Sequence, residues 1–135
     1  MLLQIEVESE KPIYVQIHDQ IVEGIARGEL RPGQSLPSIR QLAADFGINL
    51  HTVNKAYDVL EREGFIVLRR KTGAVIQITP GLPSDWEKRQ RTILAEAIAK
   101  SVNPDEIIRR AQQILDEFLL QRQQHANSYE WSEEQ

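Results

Sequence analysis

Residues 36–65 read LPSIRQLAADFGINLHTVNKAYDVLEREGF, and they leave the chain little freedom there. Apolar residues fall at three- and four-residue steps on both sides of one glycine. Ile39, Leu42, Ala43 and Phe46 form the first stripe; Val53, Ala56, Tyr57 and Leu60 form the second. Each stripe predicts a helix with one buried face. Two helices so close in sequence must turn sharply and pack on each other. Gly47 suits that turn, because a left-handed backbone is free of steric cost without a Cβ. Ser38 with Gln41 predicts a capping box at the first helix, and Asn49 predicts the cap of the second. Ala43, Gly47 and Val53 supply a close approach, a turn and a β-branched packing residue, which together predict a helix-turn-helix pair.

The flanking segments extend this unit. Leu3, Ile5 and Val7 alternate with polar neighbours and predict a short strand over residues 2–8. Ile13, Ile17, Ile21, Val22, Ile25 and Ala26 predict a further helix, with Pro12 at its first turn and Gly28 at its C-terminal cap. RPGQSLP reads as a turn. After Gly64 the period changes: two β-rich runs, 65–69 and 74–78, flank RKTG and predict a hairpin with a basic tip.

The Pro/Gly-rich TPGLPSD marks a boundary, with a linker at 79–83. Two more helical patterns cover residues 84–124, the second capped by Asn103-Pro104. Residues 125–135 are polar and acidic and read as a frayed end. The expected fold is therefore mainly α with a small antiparallel β wing: a winged helix-turn-helix domain over residues 1–78, then a C-terminal helical hairpin.

Composition narrows the function. With 41% hydrophobic and 27% charged residues among 135, the chain has a globular balance. No apolar run approaches the roughly 20 residues that span a bilayer. MLLQIEVESE lacks the basic start of a signal peptide, so no membrane contact and a cytoplasmic location are expected. There is no cysteine, which removes disulfides and thiolate metal sites. The net charge of −4 argues mildly against a nucleic-acid partner. Phosphate contact is local, however, and residues 34–73 hold six Lys and Arg against four Asp and Glu.

The second helix of the pair opens with His51, Thr52, Asn54 and Lys55, all off its apolar face. In helix-turn-helix geometry those first turns meet base edges in the major groove. Asn and Thr hydrogen-bond to bases, and Lys reaches a base or a phosphate. The hairpin becomes a wing whose Arg69, Arg70 and Lys71 can grip phosphate or enter the minor groove. Three like charges at one tip repel one another unless an anion is present. The bland alternatives are a solvated helix face, or a winged helix that docks another protein, which the acidic balance favours.

PIYVQIHDQIVEGIARGELRPGQSLPS, LPSIRQLAADFGI, TVNKAYDVLEREGFI and RRKTGAVI together resemble the DNA-binding domain of the GntR family of bacterial transcription regulators, over residues 11–78. The short helical tail is similar to that of the YtrA-like subfamily. The resemblance implies a DNA contact by Arg40, base or phosphate contacts by His51, Thr52 and Asn54, and a wing glycine, Gly73, that lets the backbone approach the minor groove. Two positions depart from the pattern. Leu50 stands where many relatives outside this subfamily carry an arginine, so that arginine's contact is not expected here. Lys71 replaces a frequent wing glycine. The competing reading of Arg40 is a salt bridge with Asp45 or another local acid, although the spacing of five to Asp45 suits such pairing poorly.

A helical hairpin of about 40 residues has little core of its own. Its apolar residues, Trp86, Ile93, Leu94, Ala97, Ile98, Ile107, Ile108, Ala111, Ile114, Leu115 and Phe118, therefore predict burial against a second copy, the alternative being that they cover the winged-helix core within one chain. The expected assembly is a homodimer on a palindromic double-stranded DNA operator, most often acting as a repressor. No cofactor is expected, and any small-molecule effector is unknown. Catalysis is not expected. No Gly-rich phosphate loop or Ser/His/Asp arrangement is present, and His18, His51 and His125 lack metal-ligand spacing. His18 and Asp19 are neighbours and are expected to face different ways on a helix.

Overall fold

A computed structural model describes residues 3–133, with side chains to residue 127. The order is α1 (Ile13–Ala26), α2 (Ile39–Phe46), α3 (Leu50–Arg62), β1 (Ile66–Arg69), β2 (Gly73–Ile76), α4 (Trp86–Ala99) and α5 (Pro104–Glu133). The fold is a mainly helical winged helix-turn-helix followed by C-terminal helices. The chain divides into two compact units, residues 1–80 and 81–135.

The first unit is built around α3. Val53, Ala56, Tyr57 and Leu60 are wholly buried, and Ile17 and Ile21 of α1 and Leu42 and Ala43 of α2 join them in one core. At about 1.5–3 kcal/mol per fully buried aliphatic or aromatic side chain, this stripe is what holds α3 in place. Gly47 closes α2 with φ 63° and ψ 36°, the left-handed turn anticipated at that position. Asn49 Oδ1 caps α3 by accepting from the His51 backbone N–H at 2.8 Å. Phe46, assigned to the buried face of α2, is instead 38% exposed, because the helix ends there and the chain swings away into the turn. The capping box is half formed. Ser38 Oγ accepts from the Gln41 N–H at 3.1 Å, but the Gln41 side chain runs forward to Asp45 Oδ1 at 2.7 Å.

The wing pairs Ile66 with Ile76 and Arg69 with Gly73 in an antiparallel ladder. RPGQSLP is more than a turn. Leu36 donates to the Ala74 carbonyl at 2.8 Å and Ile76 to the Gln34 carbonyl at 2.9 Å, so Ser35 bridges to Val75 beside β2. Described residues 3–8 form no strand, contrary to the expectation for 2–8. Their backbone is held by side chains of α1, although Leu3 still reaches the core.

His18 and Asp19 do not face apart. His18 Nδ1 meets Asp19 Oδ1 at 2.8 Å, and His18 Nε2 meets Glu63 Oε2 at 2.9 Å, so the end of α3 is tied to α1. Asp19 also pairs with Lys11, 2.5 Å away. In the second unit, Asn103 Oδ1 accepts from the Asp105 N–H at 2.9 Å and starts α5 as expected. The helix then runs to Glu133, past residue 124, so residues 125–133 are helical where a frayed end was expected; 134 and 135 lie outside the described residues.

Candidate nucleic-acid interface

Burying one stripe of α3 decides what its other face presents. His51, Asn54 and Lys55 are exposed and Thr52 is half-buried, all within the first two turns. Among the described residues their side chains are not spent on local pairing, with one exception. Lys55 Nζ lies 4.2 Å from the centroid of the Tyr14 ring, a cation–π contact that ties α3 to α1.

Arg40 sits at the second position of α2 and is exposed. Among the described residues it makes no ion pair and no side-chain hydrogen bond. The salt bridge to Asp45 is not formed, since Asp45 is occupied by Gln41. The start of α2 is pinned by a contact that the sequence pattern did not reveal. The Tyr57 hydroxyl, buried from α3, donates to the Pro37 carbonyl at 2.7 Å. Burial pushes that hydroxyl above the ordinary phenol value, so it stays protonated and keeps donating. Tyr57 had registered only as a core residue, because its apolar position in the stripe hid its polar end.

The wing brings its cations to one tip. Arg69 donates to Gln77 Oε1 at 3.0 Å across the hairpin, which orients its guanidinium. Arg70 and Lys71 occupy the turn, exposed and without a side-chain partner among the described residues. Gly73 has φ 71° and nothing within 4 Å of the position a Cβ would take. A cleft of about 230 Å3, lined by Ser38, Ile39, Tyr57, Leu68, Arg69 and Gly73, joins the wing to the start of α2. The structure thus brings Arg69 and Gly73 to the same wall as the residues just before Arg40.

The described residues include no group of three side chains suited to a metal ion, and no helix long and apolar enough to cross a membrane. None of the residues assigned to dimerisation is buried. No residue of α4 is buried. Trp86, Ile93, Leu94, Ile98, Ile108, Ala111, Ile114 and Leu115 are exposed, and Ala97, Ile107 and Phe118 are half-buried.

Comparison with known proteins agrees with this geometry. The profile of the bacterial regulatory proteins of the gntR family matches residues 13–76. The chain is 45% identical over 75 residues to the HTH-type transcriptional repressor YtrA of Bacillus subtilis, covering 56% of this chain and 58% of that one. Across three curated relatives of this kind the match spans 58% to 61% of their length. Among solved structures, YtrA from Sulfolobus acidocaldarius, a GntR-family transcription factor, is 47% identical with a TM-score of 0.62, covering 73% of this chain and 99% of that one. A transcriptional antiterminator from Listeria monocytogenes EGD-e superposes with a TM-score of 0.75 at 31% identity, covering 84% and 90% of the two chains. The family and these relatives are regulators of transcription and not enzymes.

Proposed function

This chain belongs to the GntR family of regulatory proteins, and we propose that it represses transcription in the cytoplasm by occupying a palindromic operator as a homodimer. The observation that carries this is the division of α3. One face is sealed in the core, and the other presents His51, Asn54 and, half-buried, Thr52 with no competing side-chain partners among the described residues. A helix so placed enters the major groove with its first turns on base edges. Arg40 anchors the backbone beside it, and Arg69, Arg70, Lys71 and Gly73 meet the neighbouring minor groove. Repression follows by occlusion, since a protein on the operator excludes polymerase. The name of the Bacillus subtilis relative, a repressor, supports that sign.

The exposed apolar faces of α4 and α5 support the dimer. Side chains such as Ile98, Ile114, Leu115 and Leu119 stay more than half exposed in the single chain. Exposed apolar patches are typical of interaction surfaces. A two-fold pair would set two reading helices about 34–36 Å apart, one turn of DNA.

The test is capture of sheared genomic DNA by the purified protein, followed by sequencing and titration. Enriched sites should share an inverted repeat. Affinity should fall about 10³–10⁵-fold between 50 and 200 mM salt for 6–10 phosphate contacts. No enrichment and no salt-linked binding would sink the DNA role and favour a protein-docking module. A monomer at micromolar concentration would remove the homodimer.

A further inference from the structure

The first residue of α3 is a leucine, and it is 42% exposed. Leu50 and Asn54 lie four residues apart, so their side chains occupy one stripe of the helix. Both are exposed, Leu50 at the edge of the stripe of Val53, Ala56, Tyr57 and Leu60 that fills the core and Asn54 further round from it. A side chain at the first position of a helix tilts toward the N-terminus. Leu50 therefore projects past the start of α3, at the end of a reading helix that lies nearest the base edges.

An isobutyl group at that place has no donor and no acceptor. It cannot read guanine, adenine or cytosine by hydrogen bonding. The major groove offers one apolar feature, the C5 methyl of thymine. We propose that Leu50 is a specificity-determining residue that packs on the C5 methyl of a thymine in each half-site, next to the base read by Asn54. This rests on the DNA-reading role of α3 proposed above.

The test starts from an operator selected with the wild-type protein out of random duplexes. Each thymine of one half-site is replaced singly by deoxyuridine. The replacement removes only the methyl group and leaves every hydrogen-bonding atom in place. At one position the wild-type affinity should fall about fourfold, the worth of one buried carbon group. Replaced in both half-sites, it should fall about sixteenfold, since distant sites add. Leu50→Ala should bind the thymine operator more weakly, should not distinguish thymine from uracil at that position, and should melt as the wild type does. A wild type indifferent to uracil at every position overturns the proposal, and so does an equal loss in wild type and Leu50→Ala. If the wild type selects no duplex at all, the DNA-reading role fails first and this proposal with it.

Discussion

The side-chain amide of Gln16 accepts a hydrogen bond from the Glu6 backbone N–H at 2.9 Å and donates one to the Glu6 carbonyl at 3.0 Å. One turn on, Gln20 does the same for Gln4, at 2.9 and 2.7 Å. Four residues of helix advance about 6 Å, and two residues of extended chain advance about 6.6 Å, so the two repeats stay in step. Two glutamines of α1 thus do for the N-terminal segment what a partner strand would do. That segment keeps the alternation of a strand without belonging to a sheet.

Gln16 is 7% exposed and also donates to the Lys11 carbonyl at 2.8 Å. Gln16→Leu should strand three backbone groups and cost about 1–3 kcal/mol. Gln16→Glu should also destabilise, because a carboxylate accepts from the Glu6 N–H but donates to neither carbonyl. Urea midpoints measure both, and unchanged midpoints would show that the pairing contributes nothing.

Two turn glycines should respond differently to alanine. Gly64 has φ 83°, and a Cβ there would lie 2.8 Å from Thr79 Cβ. Gly47 has φ 63° with nothing within 4 Å. Gly47→Ala should cost about 1–2 kcal/mol for the left-handed backbone alone. Gly64→Ala should cost more, about 2–4 kcal/mol, because the clash adds to the strain. Thr79→Gly should recover part of the second loss and none of the first in thermal melts.

Arg40→Ala should leave the melting temperature unchanged, since the side chain is exposed and unpaired among the described residues. Operator affinity should fall by about 1–3 kcal/mol, with a shallower salt dependence if the contact is to phosphate. Binding equal to wild type in a fluorescence titration would remove Arg40 from the interface.

Asp19 should make stability depend on acid. Burial acts to raise its carboxyl, but the hydrogen bonds from Lys11 and His18 outweigh burial and hold it below the ordinary value. A carboxylate depressed by folding contributes fully above its unfolded pKa, about 4, and its contribution is lost as pH falls through the depressed value. The stability gap between wild type and Asp19→Asn should therefore be widest above about pH 5 and close toward pH 2. A gap that stays constant across that range would mean the ion pair carries no net stability.

The helix-turn-helix pair was legible because its signals are local. Stripe, turn glycine and caps lie within thirty residues, and each acts on its own neighbours. The second half of the capping box misled, because Gln41 had two partners in reach and the sequence cannot rank Asp45 against the Ser38 backbone. The positions of His51, Asn54 and Arg70 at a surface were also legible, since they are what remains once the apolar stripes are assigned. What those residues touch is a separate matter, and it is carried by the proposals above.

The sequence by itself determined where the helices of the first unit run, which faces they bury, and that Gly47 turns left-handed, because period and Cβ sterics are properties of the chain. Only the tertiary structure decided that residues 3–8 pair with glutamine side chains, that Ser35 joins the wing, that Tyr57 reaches Pro37, and that His18 links Asp19 to Glu63. Apart from the His18–Asp19 bond between neighbours, those contacts join residues 10 to 45 positions apart. Their partners come within reach only after packing has set the distances, so no local pattern records them.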